Sequence, residues 1–364
     1  MRDRSGPGLS GARLMSTGNV PWPSIHCAPD ITRSMVYRNV TGCPVADGWL
    51  EAAAEVLTRT PPVLFIDVGA NKGYAVCAFM QRWTQHKVTE KRWHAGILRF
   101  AHARKGKYLK TPKGSCGNCG DCKRAPLRPH GRTGGEAHLL ELLPANRELL
   151  RAVLAETGLD AVVKVHGVAA SNASKGTIWV KRGMAGDERH HLTLDPGLAP
   201  AVPNASTYER MQVLSFDDFL ESRGLATRPI YHVVIDTEGH DALVLEGMSR
   251  ALSRRAIALV EFETSWGGWW WPPYTDSTRQ GRLRRPGGNE LRKLGTSVKR
   301  LHGFGYECFW QAQGDLLPIS GTCWDAHFDL WRSKWNNVVC AHEPEMVGLF
   351  RRHAAEGVFR RRAG

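Results

Sequence analysis

Val63-Leu-Phe-Ile-Asp-Val-Gly-Ala-Asn-Lys-Gly-Tyr74 is the stretch around which the chain is organised. An apolar run, Val63 to Ile66, ends in an acid, Asp67, and Gly69 and Gly73 flank Asn71. A helical pattern begins at Tyr74 and continues to about Trp83. Strand, tight turn and helix in this order open a nucleotide-binding α/β unit. The two glycines suit a backbone that turns sharply and lets a ligand approach closely. The pattern D-x-G-x-N-x-G departs from G-x-G-x-x-G, which presents bare N–H groups to a diphosphate.

Upstream, Trp49 to Thr58 reads as a helix ended by Pro61-Pro62. Downstream, residues 86–135 break the alternation of strand and helix: they are rich in Gly, Pro and Lys and read as an insertion. The next strand is Ala137-His-Leu-Leu-Glu141, followed by a Leu-Leu-Pro-Ala-Asn146 turn and a helix to about Glu156. In a doubly wound unit the second strand ends in an acid for ribose hydroxyls, about 20 residues after the glycine turn. Glu141 lies 74 residues after Asp67, an excess the insertion accounts for; Glu90 is the rival at ordinary spacing.

Ala161 to His166 is a third strand, and Gly167-Val-Ala-Ala-Ser171 a small-residue turn where an adenine ring would lie flat, beside Ala169. Gly176 to Val180 and Met211 to Leu214 read as hairpin strands, and Ser215-Phe-Asp-Asp218 caps a helix over Phe219 to Arg223. Val233 to Ile235 is a buried strand that delivers Asp236, Glu238 and His240. Ligands in open α/β sheets bind outside the carboxyl ends of strands, so these three are expected near Asp67 and Asn71. The same acids would also cap a helix over Asp241 to Arg250. Ala256 to Glu263 is a fifth strand, followed by Trp266, Trp269, Trp270 and Trp271, either an aromatic wall for a ligand or a lid packed on the core. A helix over Glu290 to Gly303 and strands Gly305 to Trp310 and Asn337 to Ala341 complete the pattern, and a basic helical tail starts near Pro344.

The 364 residues carry a net charge of +14. Residues 86–135 hold thirteen Lys or Arg against Glu90 and Asp121, a local +11. Such a segment is a solvated loop or a surface for a polyanion. No apolar run is long enough to span a membrane, and residues 1–20 lack the apolar core of a signal peptide. Sequons at Asn39, Asn172 and Asn204 hint at a secretory route, so the compartment stays open between cytoplasm and secretory lumen. Among nine cysteines, Cys116, Cys119 and Cys122 form C-x-x-C-x-x-C, which suits disulfides or a structural zinc with a fourth ligand from elsewhere. The odd total leaves at least one free thiol if the rest pair.

Asp67-Val-Gly-Ala-Asn-Lys-Gly73, Glu141 before its Pro-Ala-Asn turn, Val213-Leu-Ser-Phe-Asp-Asp-Phe-Leu220 and Ile235-Asp-Thr-Glu-Gly-His240 occur in this order. Together they resemble the FkbM family of S-adenosylmethionine-dependent methyltransferases, over about Val63 to Glu263 less the insertion. Three positions depart from the family pattern: Leu142 stands at a usual Pro, Phe216 at a usual Leu and Asp241 at a usual Glu. The resemblance implies a Rossmann-like class I methyltransferase fold, α/β, with a mostly parallel seven-stranded sheet, helices on both faces and the basic Cys-containing insertion after the first helix. It divides the chain into a flexible segment 1–30, a methyltransferase domain 31–343 and a basic tail 344–364. It also implies S-adenosylmethionine as cofactor, held by Asp67, Gly69, Asn71, Gly73, Glu141, Ala169 and Asp236. That ligand has no phosphate; its methionine end wants an acid for the ammonium, which Asp67 would hold directly or through water.

Methyl transfer from a sulfonium asks the protein mainly to position the acceptor, and an alcohol acceptor benefits from a general base. Asp236, Glu238 and His240 are the candidates by position, His240 foremost near neutral pH. The expected activity is O-methylation of a small-molecule or glycan hydroxyl. The alternative is a nucleic-acid methyltransferase or binding module using the basic insertion. A nicotinamide-dependent oxidoreductase is disfavoured by the missing G-x-G-x-x-G.

Overall fold

The computed structural model describes residues 49, 50, 53, 56, 63–83, 88–104, 134–186, 204, 206–265, 270–271, 292–312, 315–329 and 335–362. Inside its main sheet lies β1 (Val63–Val68), buried along its whole length. Val63 and Phe65 belong to the apolar core on one face of the sheet; Leu64, Ile66 and Val68 belong to the core on the other. A strand covered on both faces reads as an unbroken apolar run, hence Val-Leu-Phe-Ile.

On one side of β1 lie β2 (Gly135–Leu140) and then β3 (Val163–His166), all parallel. On the other lie β7 (Ile230–Ile235) and β8 (Ile257–Ser265), again parallel. The reversed strand β13 (Trp335–Ala341) follows, then β11 (Glu307–Ala312) and the edge strand β12 (Asp315–Pro318). The sheet order is β12-β11-β13-β8-β7-β1-β2-β3. It therefore has eight strands among the described residues, not the expected seven. The extra one, β12, is a hairpin return of β11 that buries Leu316 and Leu317 and ends in Pro318, as a sheet edge tolerates. Cys308 and Cys340 face each other across β11 and β13 and form a disulfide. Cys323 is also disulfide-bonded, and Cys77 is a buried free thiol. Cys116, Cys119 and Cys122 lie outside the described residues.

One face of the sheet is covered by α1 (Tyr74–Trp83), α2 (Glu90–Ala103), α3 (Pro144–Thr157) and the start of α8 (Pro344–Arg362). The other is covered by α4 (Phe216–Ser222), α5 (Asp241–Glu246), α6 (Ser249–Ser253) and α7 (Leu294–Gly303). A separate three-stranded sheet joins β4 (Val168–Ser171), β6 (Tyr208–Ser215) and β5 (Gly176–Lys181) in that order. A short pair, β9 (Trp270–Trp271) and β10 (Arg292–Lys293), runs parallel.

Several local expectations change. Residues 168–171 are a strand, not a turn, because Val168 to Ser171 pair in register with Gln212 to Ser215. The helix expected over Asp241 to Arg250 is two helices. Gly247 presses on strand β4 at the break: a Cβ there would lie 2.1 Å from the Ser171 carbonyl oxygen. Trp270 is buried, stacks on Phe262 and donates its Nε1–H to the Glu263 carbonyl, while Trp266 and Trp269 lie outside the described residues. Residues 344–354, expected as the start of a tail, bury Met346, Val347, Phe350 and Ala354 in the core.

The largest change concerns residues 86–135. Their first part is α2, capped by Thr89, whose hydroxyl accepts the Arg92 N–H. It buries Trp93, Ile97 and Ala101, spaced at i, i+4 and i+8, against α1 and α3. Trp93 is fully buried and donates its Nε1–H to the Lys72 carbonyl at 2.8 Å. Its cations are partly matched: Arg99 pairs with Glu156, and Arg104 with Glu148 at 3.3 Å. Residues 105–133 lie outside the described residues. A core role for α2 predicts that Trp93→Ala lowers unfolding stability by about 3–5 kcal/mol, measured by urea titration. A change within 0.5 kcal/mol, as expected of a surface insertion, would contradict it.

Candidate functional site

A cleft opens where β1, β2 and β7 end, lined among others by Gly69, Asn71, Glu141, Ala169, Asp236 and Glu238. Hydrogen bonds between successive strand ends build its floor. The Gly69 N–H donates to the Leu140 carbonyl at 2.9 Å, and the Asp236 N–H donates to the Val68 carbonyl at 2.9 Å. Gly69 has φ +96°, and a Cβ there would lie 1.8 Å from the Asp236 carbonyl oxygen. The neighbouring loop thus demands a glycine at this point of the cleft wall. Gly73 answers to packing too: with φ +76°, its Cβ would meet Trp93 at 2.6 Å and Leu150 at 2.7 Å. It does not line the cleft.

Glu141 is 4% exposed and faces the glycine turn. Its Oε2 accepts the Asn71 N–H and its Oε1 the Leu143 N–H, both at 2.7 Å. Burial raises its pKa; the two backbone donors, Asn146 and Arg147 oppose the rise. Glu90, the rival acid, starts α2 and is not among the cleft residues. Arg147 secures the Glu141 loop from below. It donates to the Glu141 and Leu142 carbonyls at 3.3 and 2.7 Å and pairs with Glu209 on β6. The Asn146 side chain, also in the cleft wall, accepts the Gly186 N–H at 2.7 Å.

Asp67 is placed differently from a ligand-facing acid. It is 2% exposed, does not line the cleft, and its Oδ2 has no hydrogen-bond partner among the described residues. Burial, then Asp236, Glu141 and Glu261, push its pKa well up. His240 is likewise buried, at the N-terminus of α5, with Nε2 3.3 Å from the Ser171 hydroxyl, and it does not line the cleft. Of the three expected base candidates, Asp236 and Glu238 reach the cleft wall.

Asn71 and Glu238, both in the cleft wall, adopt left-handed backbone, with φ +45° and +55°. A Glu there is unfavourable and needs surrounding structure to hold it. The holder is Asp241, which sequence reading noted only as a departure from the family pattern. Its carboxylate accepts the Thr237 hydroxyl at 3.0 Å, the Gly239 N–H at 3.1 Å and the Glu263 N–H at 3.3 Å. Asp241 thereby clamps the loop either side of Glu238. Burial and then Asp236 push its pKa up to about 7. Glu263 is also raised well above the usual range, by burial and then by Asp236, Asp241 and Glu238. In the neighbouring motif, Asp217 acts on the fold: it accepts the Arg250 and Ala251 N–H groups at 2.7 and 2.9 Å and caps α6.

With this geometry in view, the family model described as Methyltransferase FkbM domain matches residues 118–294. That span is similar to the FkbM methyltransferase domain and makes up just under half of the chain. The matched span holds Glu141, Ala169, Asp236 and Glu238 but begins after the β1 turn, which the long segment before β2 separates from it. Two solved structures are also similar. One is a methyltransferase FkbM from Methylobacillus flagellatus KT, at 14% identity and TM-score 0.28, covering 57% of this chain. This chain spans only 34% of that one, about a third of its length. The other is described as a sarcosine dimethylglycine methyltransferase from Galdieria sulphuraria, at 10% identity and TM-score 0.34, covering 80% of this chain and 82% of that one. Likenesses this distant carry no detail of the site. No curated protein sequence matches the chain.

The clamp predicts that Asp241→Asn, which exchanges one acceptor oxygen for a donor facing N–H groups, leaves a folded protein by circular dichroism. Misplacement of the Glu238 loop should lower turnover at the cleft, the methyl transfer proposed below, about 10²-fold. Wild-type turnover in that variant would rule the clamp out. Gly69→Ala is expected to fail to fold, judged by the loss of a cooperative thermal transition.

Proposed function

We propose that this domain binds S-adenosylmethionine in the cleft and methylates a hydroxyl of a small molecule or glycan. The observation that carries the reading is the charge of the cleft wall. Glu141, Asp236 and Glu238 line it, and no Lys or Arg is among the described lining residues. A diphosphate is repelled by such a wall; a ligand bearing an ammonium and a sulfonium is attracted. The effect is strengthened where burial lowers the local dielectric.

The remaining chemistry fits the same group. The Glu141 oxygens accept the Asn71 and Leu143 N–H groups and retain acceptor capacity, which suits ribose hydroxyls. Val168, Ala169 and Ala170 offer a small apolar surface for an adenine ring. Asp236 and Glu238, both in the cleft wall, are the candidates to meet the methionine end and the acceptor. When bound, S-adenosylmethionine supplies an activated methyl group. The protein's part is to hold the acceptor oxygen in line and to take its proton. Glu238 and Asp236 are the candidate bases, because both face the cleft. The nucleic-acid alternative gains no support from the cleft wall, and on α2 Arg99 and Arg104 already have acidic partners.

Calorimetry should find binding of S-adenosylmethionine and none of NAD, and Glu141→Ala should weaken the former at least about tenfold, one lost charge-assisted pair of contacts. Binding of NAD alone would overturn the reading. The pH dependence has a defined sign. Carboxyls with raised pKa, such as Asp241 at about 7, ionise more readily beside a bound cation. Binding then releases protons, so affinity should rise across the window around pH 7 and level off above it. S-adenosylhomocysteine, which lacks the sulfonium charge, should show a smaller dependence.

A further inference from the structure

We propose that Asn204 is an N-glycan attachment site and that Asn172, in the same sequon pattern, is not. The two carboxamides differ in what already holds them. Asn204 is exposed, just before β6. Its Oδ1 accepts the Ser206 N–H at 2.9 Å and the Ser206 hydroxyl at 2.8 Å. None of the described residues accepts a hydrogen bond from its Nδ2. The oxygen is engaged within the sequon. Its backbone carbonyl takes the Thr207 and Tyr208 N–H groups at 2.9 Å, which fixes the turn on the surface. A bulky polar glycan on Nδ2 displaces no hydrogen bond of that nitrogen to the described residues.

Asn172 is half-buried, and its Nδ2 donates to Glu246 at 3.2 Å. Glu246 also receives Arg292, through Nε at 2.6 Å, so the carboxamide belongs to an ion-paired group between β4, α5 and β10. The hydroxyl of its sequon partner, Ser174, donates to Asp218 and accepts the Ser215 N–H at 3.1 Å. A glycan on Asn172 would break this set. The third sequon, at Asn39, lies outside the described residues.

A second observation places the chain where such transfer occurs. Cys308 and Cys340 form a cross-strand disulfide, and Cys323 is disulfide-bonded as well. Structural disulfides form in oxidising compartments and are rare in reducing ones. In the transfer itself, a bond forms between Asn204 Nδ2 and C1 of the sugar. The C1–O bond to a lipid-linked diphosphate breaks, the amide loses one proton, and the lipid diphosphate leaves with the bonding electrons. This assignment is independent of the methyltransferase reading.

The test is secretion of the full chain from insect cells behind an added leader. Release of N-glycans by a peptide glycosidase that converts the linked Asn to Asp, followed by peptide mass mapping, reads the sites. The Asn204 peptide is expected to convert and the Asn172 peptide to stay an amide. Asn204→Gln and Ser206→Ala should each lose one glycan step on a gel, and Ser206→Thr should keep it. Retention of the Cys308–Cys340 disulfide shows that each variant is folded. An unmodified Asn204 in secreted, disulfide-bonded protein overturns the proposal, and so does equal occupancy at Asn172. Secreted protein with Cys308 and Cys340 reduced would remove its compartment basis.

Discussion

The contact on which the structure depends is the closeness of the Gly69 and Asp236 backbones. Space for one carbon is missing there: a Cβ at Gly69 would lie 1.8 Å from a carbonyl oxygen. This approach lets the turn after β1 and the loop after β7 share one cleft. The Gly69 N–H also reaches back to Leu140, so the ends of β2, β1 and β7 are joined in a row. Glu141, Asn71 and Glu238 stand together because their strands do. Remove the closeness and three separate loops remain.

Carboxyl groups accumulate at the same place. Asp67, Glu141 and Asp241 are buried and Glu263 is half-buried, and loss of solvent is the first cause of the raised pKa of each. Buried charges without partners are costly, and the fold offsets part of that cost with backbone donors. Glu141 takes N–H groups from Asn71 and Leu143, and Asp241 takes them from Gly239 and Glu263. What is left is a concentration of negative potential and protonatable oxygen behind the cleft. Such concentrations occur at functional sites more often than stability alone would favour. The two left-handed residues, Asn71 and Glu238, mark the same spot from the side of backbone strain.

Much of this was legible in the residues. The apolar run at Val63 announced a strand buried on both faces. The acids after Ile235 announced a strand end, and Glu141 proved nearer the glycine turn than Glu90 despite its unusual distance in sequence. The helix α2 carried a readable signal as well: Trp93, Ile97 and Ala101 repeat every four residues, after a Thr cap. The surrounding lysines and glycines mask it, because they dominate the composition of the segment as a whole. The cross-strand pairing of Cys308 with Cys340 had no signal of its own, because register between distant strands is set by the sheet.

The sequence by itself determined the strand-turn-helix opening, the parallel α/β class and the set of acids from which a site could be made. These follow from local periodicity and backbone preference, which a linear string carries. Only the tertiary structure decided how those acids divide. Glu141, Asp236 and Glu238 face the cleft, Asp67 and His240 are buried away from it, and Asp241 became the clamp. It also decided that protein neighbours leave no room for a side chain at Gly69 and Gly73. The reason is physical: burial, charge coupling and close approach are properties of pairs of residues far apart in the chain, and no single stretch contains both members.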